Sequence, residues 1–144
     1  MATVKGPPRR WALAMLGACG WLTLAGCGGL KLVPVSGKVT LGRQPLRGGA
    51  VCFVPDASRG NTARVSCVGR LNGEGRYELS TTAVKGSDSG KGAPVGWYKV
   101  TLITTLPGAA EIHVDGKYLD PERTPVSVEV VADPSPGAYD IQLE

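Results

Sequence analysis

Glycine and proline recur often along this chain. No segment of helical length shows a 3.6-residue apolar period without an intervening glycine or proline. The 144 residues include 21 Gly and 11 Pro, and both residue types break helices but suit the tight turns between strands. Short apolar or alternating segments lie between these turns, as in half-buried β-strands. The pattern argues against an all-α protein and favours a small all-β domain.

Seven segments have the composition and alternation of strands. In the longest segment, the even-numbered residues from Tyr98 to Thr104 share one predicted face, and Asn72-Gly73 between two others predicts a hairpin. Residues 80–96 are rich in Gly, Ser and Lys, and we expect a long contact loop there. The spacing favours a Greek-key β-sandwich of about seven strands in one domain, residues 33–144. The seven segments are residues 33–40, 50–54, 64–71, 76–79, 97–105, 126–132 and 138–143.

A basic stretch followed by a short apolar run begins the chain. Lys5, Arg9 and Arg10 precede 14 residues from Trp11 to Leu24, and small residues follow. This order is typical of a secretory signal peptide, whereas a membrane-spanning helix needs about 20 apolar residues. We therefore expect residues 1–26 to be removed.

The tetrapeptide Leu24-Ala25-Gly26-Cys27 ends this apolar run and resembles the lipobox of bacterial lipoproteins. The resemblance implies cleavage before Cys27, a diacylglyceryl group on its thiol and acylation of the new amino terminus. Two or more acyl chains make a lasting anchor, whereas a single chain binds membranes reversibly. Residues 27–32 are then a lipidated tether. Because residue 28 is Gly and not Asp, the sorting rule of many such lipoproteins implies the outer membrane, with the domain facing the periplasm or the cell surface.

The charges are unevenly distributed along the chain. Removal of the signal peptide takes away three basic residues and leaves 13 basic and 12 acidic side chains. Residues 28–110 hold 11 basic and 4 acidic groups, whereas residues 111–144 hold 2 and 8. We expect the two parts to neutralise each other within one domain. Basic clusters interleaved with aromatic residues do not occur, so we expect no nucleic-acid partner.

Two cysteines, Cys52 and Cys67, belong to the expected domain. Export would place them in an oxidising compartment, and a separation of 15 positions suits a bridge between two neighbouring strands. If Cys52 lies opposite Cys67 in an antiparallel pair, Val54 lies opposite Val65 on the same face. The sequence thus predicts a disulfide, with two buried free thiols as the alternative.

Four tyrosines recur at separations of 21, 20 and 21 residues. Each tyrosine directly follows a Gly-X dipeptide. Glycine permits a tight turn before each strand. We expect each ring to cover an end of the core while its hydroxyl reaches solvent. The residues are Tyr77, Tyr98, Tyr118 and Tyr139.

Two groups of side chains are candidates for chemistry or binding. Glu111, His113 and Asp115 would share one face of a strand, and an imidazole with two carboxylates can hold a divalent metal. The alternative is an exposed edge strand. Trp97 and Tyr118 are the best aromatic candidates for contact with a glycan. We expect no catalytic residue and no cofactor. The chain has a single histidine, which would have to take every role that a histidine has in catalysis, and no G-x-S-x-G motif occurs.

Several segments, in order, resemble the carboxypeptidase regulatory-like, transthyretin-like β-sandwich modules of many small bacterial lipoproteins. The resemblance covers most of residues 33–144 and implies a sandwich of the transthyretin-like or immunoglobulin-like kind without catalytic activity of its own. Related purine-pathway hydrolases need several His and Arg site residues, which a chain with His113 alone does not supply. The segments are VSGKVTLGRQPL (Val35–Leu46), GAVCFVP (Gly49–Pro55), GRLNGEGRYEL (Gly69–Leu79), GAPVGWYKVT (Gly92–Thr101) and residues 117–143.

Together, these features predict a membrane-anchored lipoprotein of the cell envelope that carries a structural or binding module. Its expected partners are the membrane, through the lipid on Cys27, and an envelope protein or glycan. The alternatives are a metal-dependent or hydrolytic enzyme centred on His113, and a glycan-binding module.

Overall fold

The computed structural model describes residues 31–82 and 90–144. The predicted signal peptide, the lipidation site Cys27 and most of the tether lie outside these residues, as does the middle of the predicted loop, residues 83–89. Within the described ranges, no helix has the length and apolarity that crossing a membrane requires. The strands are β1 (Leu32–Val33), β2 (Ser36–Leu41), β3 (Gln44–Pro45), β4 (Ala50–Pro55), β5 (Cys67–Arg70), β6 (Arg76–Glu78), β7 (Ser80–Thr81), β8 (Gly90–Lys91), β9 (Ala93–Pro94), β10 (Gly96–Ile103), β11 (Ser127–Val130) and β12 (Ile141–Leu143), with 3-10 helices η1 (Ala57–Arg59) and η2 (Gly116–Leu119).

These strands pair in three sheets. The largest has six strands in the order β11-β10-β4-β5-β7-β8. In the second, β2 pairs with β12, β3 and β6, and the contact with β12 is parallel. A two-stranded ribbon joins β1 to β9. The predicted all-β class is confirmed.

Each of the seven predicted strand segments overlaps an observed strand. In β10, Tyr98, Val100 and Leu102 from one predicted face are buried, as is Thr101 from the other face. The prediction of a continuous loop over residues 80–96 is wrong in the described part, which contains β7, β8 and β9. These strands have two residues each, too few to show an alternation that a sequence could reveal.

The Asn72-Gly73 turn connects β5 to β6, but the two strands do not form the predicted hairpin. The side-chain oxygen of Asn72 accepts hydrogen bonds from two backbone amides of the turn, both at 2.9 Å. The chain then crosses, so that β6 pairs with β2 while β5 pairs with β7. Gly69 permits this close crossing, because a Cβ there would lie 2.8 Å from the carbonyl oxygen of Glu78.

One cluster of buried apolar side chains joins all three sheets. Phe53 lies at its centre, with its ring 6.1 Å from that of Tyr77 and 5.9 Å from that of Tyr98. Burying a side chain of this size contributes about 1.5–3 kcal/mol to the stability of the fold. Members from the strands include Val33, Val39, Val51, Phe53, Cys67, Tyr77, Ala93, Tyr98, Val100, Leu102, Val130, Ile141 and Leu143.

All four tyrosines are buried, and the prediction that their hydroxyls reach solvent is wrong. A buried phenol needs a hydrogen-bond partner, and here the backbone supplies it. Each hydroxyl therefore ties its ring to another part of the chain. The hydroxyls of Tyr77, Tyr98, Tyr118 and Tyr139 bond to backbone atoms of Tyr139, Pro94, Glu144 and Val131, respectively.

The predicted register between Cys52 and Cys67 is wrong by one residue. Cys52 lies opposite Val68, and Phe53 lies opposite Cys67. The two cysteine side chains therefore point to opposite faces of the sheet, and both are free thiols instead of the predicted disulfide. The larger apolar side chain of Phe53 is fully buried, which places its neighbour Cys52 on the other face.

Candidate functional site

The segment from Glu111 to Asp115 does not form the predicted strand. Ile112 and Val114 pack against the core, so Glu111, His113 and Asp115 are exposed as the alternation predicted. No group of three or more metal-ligating side chains occurs in the part of the chain that the structure describes. Asp115 instead caps η2, where its Oδ1 accepts a hydrogen bond from a backbone amide at 2.9 Å.

Of the two aromatic residues predicted to contact a ligand, Trp97 is accessible and Tyr118 is not. Tyr118 is 3% exposed and presents no surface to a ligand. Trp97 is half-buried near the start of β10. The guanidinium of Arg59 lies over its indole, 3.7 Å from the ring centroid, in the geometry of a cation–π contact.

A groove of about 630 Å³ lies beside this tryptophan, and we call it the Trp97 groove. Its lining consists of Lys31, residues 59–64 and residues 94–97. The cations Lys31, Arg59 and Arg64 are all exposed. Val95 is 54% exposed, more than any other large apolar side chain of the described chain. The groove therefore combines positive charge with exposed apolar surface.

Hydrogen bonds hold the backbone of Trp97 in place. Its carbonyl oxygen accepts from the backbone nitrogen of Asp56 at 3.0 Å and from Nδ2 of Asn61 at 2.8 Å. The carboxylate of Asp56 is itself engaged, since it accepts from the hydroxyl of Ser58 at 2.6 Å and from its backbone nitrogen at 3.1 Å. The hydroxyl bond is the main cause that lowers the pKa of Asp56.

The turn that carries Val95 is equally constrained. The hydroxyl of Tyr98 donates to the carbonyl of Pro94 at 2.8 Å and closes the turn from inside the core. Gly96 has a φ of +139°, and a Cβ there would lie 2.9 Å from the side-chain nitrogen Nδ2 of Asn61. This turn therefore requires glycine, and it holds Val95 outward in a fixed position.

A second, larger groove of about 920 Å³ is lined mainly by polar side chains, and we call it the polar groove. It contains Arg70, Arg76, Glu78 and Asp140. Asp140 also accepts a hydrogen bond from the backbone nitrogen of Lys38 at 2.9 Å. The mixture of cations and carboxylates suits a polar partner.

The two thiols do not have the chemistry of nucleophiles. Burial raises the pKa of Cys52 and of Cys67, so both remain protonated at neutral pH, and the thiolate is the reactive form. The sulfur of Cys67 lies 3.2 Å from the hydroxyl oxygen of Thr81, inside the core.

Sequence reasoning identified Trp97 but missed its neighbours. Arg59 and Arg64 belong to one segment of the lining and Val95 to another, beside Trp97, and each alone resembles an ordinary surface residue. Only the pairing of β1 with β9, and of β10 with β4, brings these segments to one place.

Comparisons with protein-family models, with curated proteins and with solved structures found no match.

Proposed function

We propose that this chain is a lipid-anchored lipoprotein of the cell envelope, and that its β-domain is a non-catalytic structural or binding module. The observation that carries the proposal is the tetrapeptide Leu24-Ala25-Gly26-Cys27 at the end of an apolar run. Strand β1 begins five residues later, at Leu32, so a lipid on Cys27 would hold the domain close to the membrane. Gly28 favours delivery to the outer membrane.

The strand pairing supports a Greek-key sandwich of the carboxypeptidase regulatory-like, transthyretin-like kind. The chain passes from β5 in the six-stranded sheet to β6 in the second sheet and returns to the first at β7. Crossings of this kind are typical of sandwiches in which both sheets face one core. The buried cluster takes side chains from both sheets.

The chemistry of the described residues favours binding over an enzyme centred on His113. The exposed imidazole lies in a segment whose neighbouring carboxylate, Asp115, caps a helix. The raised pKa values of Cys52 and Cys67 leave protonated thiols. The polar groove presents cations and carboxylates that suit a charged or polar segment of an envelope protein.

A glycan-binding role depends on Trp97, and the geometry favours a charged partner there. Arg59 covers one face of the indole, so a sugar could stack on the other face or after displacement of the guanidinium. The three cations around the groove would attract an anion more strongly than a neutral sugar.

Inhibition of lipoprotein signal peptidase by globomycin, combined with metabolic labelling by an alkyne fatty acid, tests the anchor. Wild-type protein should carry the label, and globomycin should make the full-length precursor accumulate. Cys27→Ala should stay unprocessed and unlabelled. Cys19→Ala is the matched control, because it removes a thiol from the same apolar segment and should be processed normally. Processing that ignores globomycin, or label on the Cys27→Ala variant, would contradict the proposal.

A further inference from the structure

We propose that the Trp97 groove docks on anionic phospholipid headgroups of the membrane that holds the lipid on Cys27. The inference rests on the proposed lipid anchor and adds to it an orientation of the domain. The Trp97 groove would face the bilayer, and the lipid phosphates would lie against its cations.

The length of the tether places the groove near the bilayer. Lys31 lines the groove, and the next residue, Leu32, pairs with Pro94 on the opposite wall. Lys31 lies four positions after Cys27, and four fully extended steps of the chain span roughly 14 Å. A lipid on Cys27 thus keeps Lys31, at one edge of the groove, within about that distance of the headgroups, whatever path the tether takes.

The charges of the groove complement an anionic surface. Lys31, Arg59 and Arg64 are exposed there. Of the nearby carboxylates, Asp56 is buried and hydrogen-bonded to Ser58, and Glu129 lies opposite Trp97 on β11. Each basic residue near an anionic bilayer strengthens binding about fivefold, and the attraction decays over about 8–10 Å. The tether holds Lys31 near that range, and Arg59 and Arg64 line the same groove.

The apolar part of the groove suits the boundary between headgroups and acyl chains. Tryptophan is enriched at this boundary because its ring is apolar and its N–H is polar. Val95 projects beside it on a turn that the hydroxyl of Tyr98 closes from inside the core. An exposed apolar side chain in a rigid turn needs no rearrangement to enter the interface.

The mature protein contains its own probe for this contact. Trp11 and Trp21 precede the cleavage site, so Trp97 is the single tryptophan after processing. We would reconstitute acylated protein in vesicles whose lipids carry brominated chains, which quench indole fluorescence at close range. Vesicles containing phosphatidylglycerol should quench Trp97 about twofold or more beyond vesicles of phosphatidylcholine alone. Salt at about 1 M, where the Debye length is about 3 Å, should remove the difference.

Charge variants separate this groove from general attraction. Lys31→Gln/Arg64→Gln should reduce quenching in anionic vesicles to the level in neutral ones. Arg59 stays in place because its contact with the indole affects the emission itself. The control Arg43→Gln/Arg47→Gln removes the same charge from outside the groove and should quench like wild type. Equal quenching in both kinds of vesicle, or an equal loss in the control, would overturn the docking.

Three further measurements make the result decisive. Circular dichroism must show the fold of each variant, and if the groove variant unfolds, the salt dependence of the wild type decides the question.

Intact mass decides the anchor separately: a preparation without acyl groups overturns both proposals, whereas acylated protein with unquenched Trp97 overturns the docking alone. Inorganic phosphate added to neutral vesicles should leave the emission unchanged. A change as large as that with anionic vesicles would indicate a phosphate-ion site and overturn the membrane assignment.

Discussion

The ring of Tyr77 lies in a slot that two glycines create. A Cβ at Gly69 would lie 3.1 Å from its ring, and a Cβ at Gly37 would lie 3.0 Å from its hydroxyl. Within this slot, the hydroxyl donates to the carbonyl of Tyr139 at 2.6 Å. One side chain thus links β6 to the segment that precedes β12.

Substitution of Tyr77 by Phe should cost about 1–3 kcal/mol of the free energy of unfolding, because a buried carbonyl loses its partner. Tyr118→Phe is the matched comparison. The hydroxyl of Tyr118 contacts the terminal residue Glu144 at 3.1 and 3.4 Å, and its loss should cost less. Urea unfolding of both variants measures the difference. A smaller effect at Tyr77 than at Tyr118 would contradict this account of the slot.

Alkaline pH should destabilise the domain through its buried phenols. Burial raises the pKa of Tyr98 to about 12 and the pKa of Tyr77 further, whereas an unfolded tyrosine titrates near 10. Above about pH 10 the unfolded chain releases protons that the native state keeps, so stability is full below that pH and falls as the pH rises toward 12. The slope approaches about 1.4 kcal/mol per pH unit for each of these two tyrosines.

Urea midpoints measured from pH 8 to pH 11 test this expectation, with Tyr98→Phe as the comparison. The variant starts lower, because Pro94 loses its hydrogen bond, but should lose less stability as the pH rises. An unchanged slope in Tyr98→Phe would show that other groups govern the alkaline limit.

At this scale, alternation in the sequence placed Tyr98, Val100 and Leu102 on one face, and all three are buried. It could not predict where the hydroxyls bond. The acceptor for Tyr77 lies 62 positions away, and any backbone carbonyl is chemically equivalent to it.

The second sheet is organised around β2. This strand pairs with β3, β6 and β12, and Gly37 lies where the chain before β12 approaches most closely. A Cβ on Gly37 would overlap the carbonyl group of Tyr139. The approach of the C-terminal segment to β2 therefore depends on the absence of a side chain at residue 37.

Substitution of Gly37 by Ala should destabilise the domain by about 3 kcal/mol or more, at the upper end of overpacking effects. Gly73→Ala is the control, because a Cβ at Gly73 has no atom within 4 Å and should change stability by about 0.5 kcal/mol or less. Neither glycine has a positive φ, so the pair isolates the steric effect. Similar unfolding midpoints for the two variants would contradict the close approach.

The register of β4 and β5 predicts that Cys52 and Cys67 remain unbridged even under oxidising conditions. Alkylation of the denatured protein without reductant should modify both thiols, as intact mass would show. A disulfide-linked peptide pair would contradict the register, because side chains on opposite faces of one sheet cannot meet without a slip of the strand.

The sequence could not predict this register for a physical reason. Every residue from Ala50 to Val54 is apolar or Cys, so the segment has no polar face that would distinguish one register from its neighbour by one residue. The extra strands β7, β8 and β9 escaped prediction because two residues carry no period. The longer strands β2 and β10 were predictable because their alternation spans several residues.

At the scale of the molecule, the two grooves lie toward different ends of the six-stranded sheet. Trp97 is near the start of β10, whereas Arg70 of the polar groove pairs with Ala50, which lies beside Ile103 at the other end of β10. A domain anchored through the Trp97 groove would therefore hold Arg70 away from the bilayer. The polar groove would stay accessible to an envelope partner.

Among the described residues, fewer ion pairs join the basic and acidic parts of the chain than the sequence suggested. The contact between Lys99 and Glu122, at 4.0 Å, joins the basic and acidic parts of the chain. Arg76–Glu74 and Lys91–Glu78 lie within the basic part. Exposed pairs of this kind contribute about 0–1 kcal/mol. Charge thus has more influence on how the domain meets a partner than on whether it folds.

Of the Trp97 groove, the sequence singled out Trp97, the one tryptophan after Trp21. Lys31, Arg64 and Val95 come together only through pairing of distant strands, and no local pattern encodes that proximity.

Mass spectrometry of the amino-terminal peptide, from protein extracted from membranes, tests the central claim most directly. The account predicts that the mature chain begins at Cys27, with diacylglycerol in thioether linkage to its sulfur and an acyl chain on its α-amino group. A mature chain that begins at another residue, or one that begins at Cys27 with a free thiol, would contradict the lipid anchor on which the function and the orientation of this domain depend.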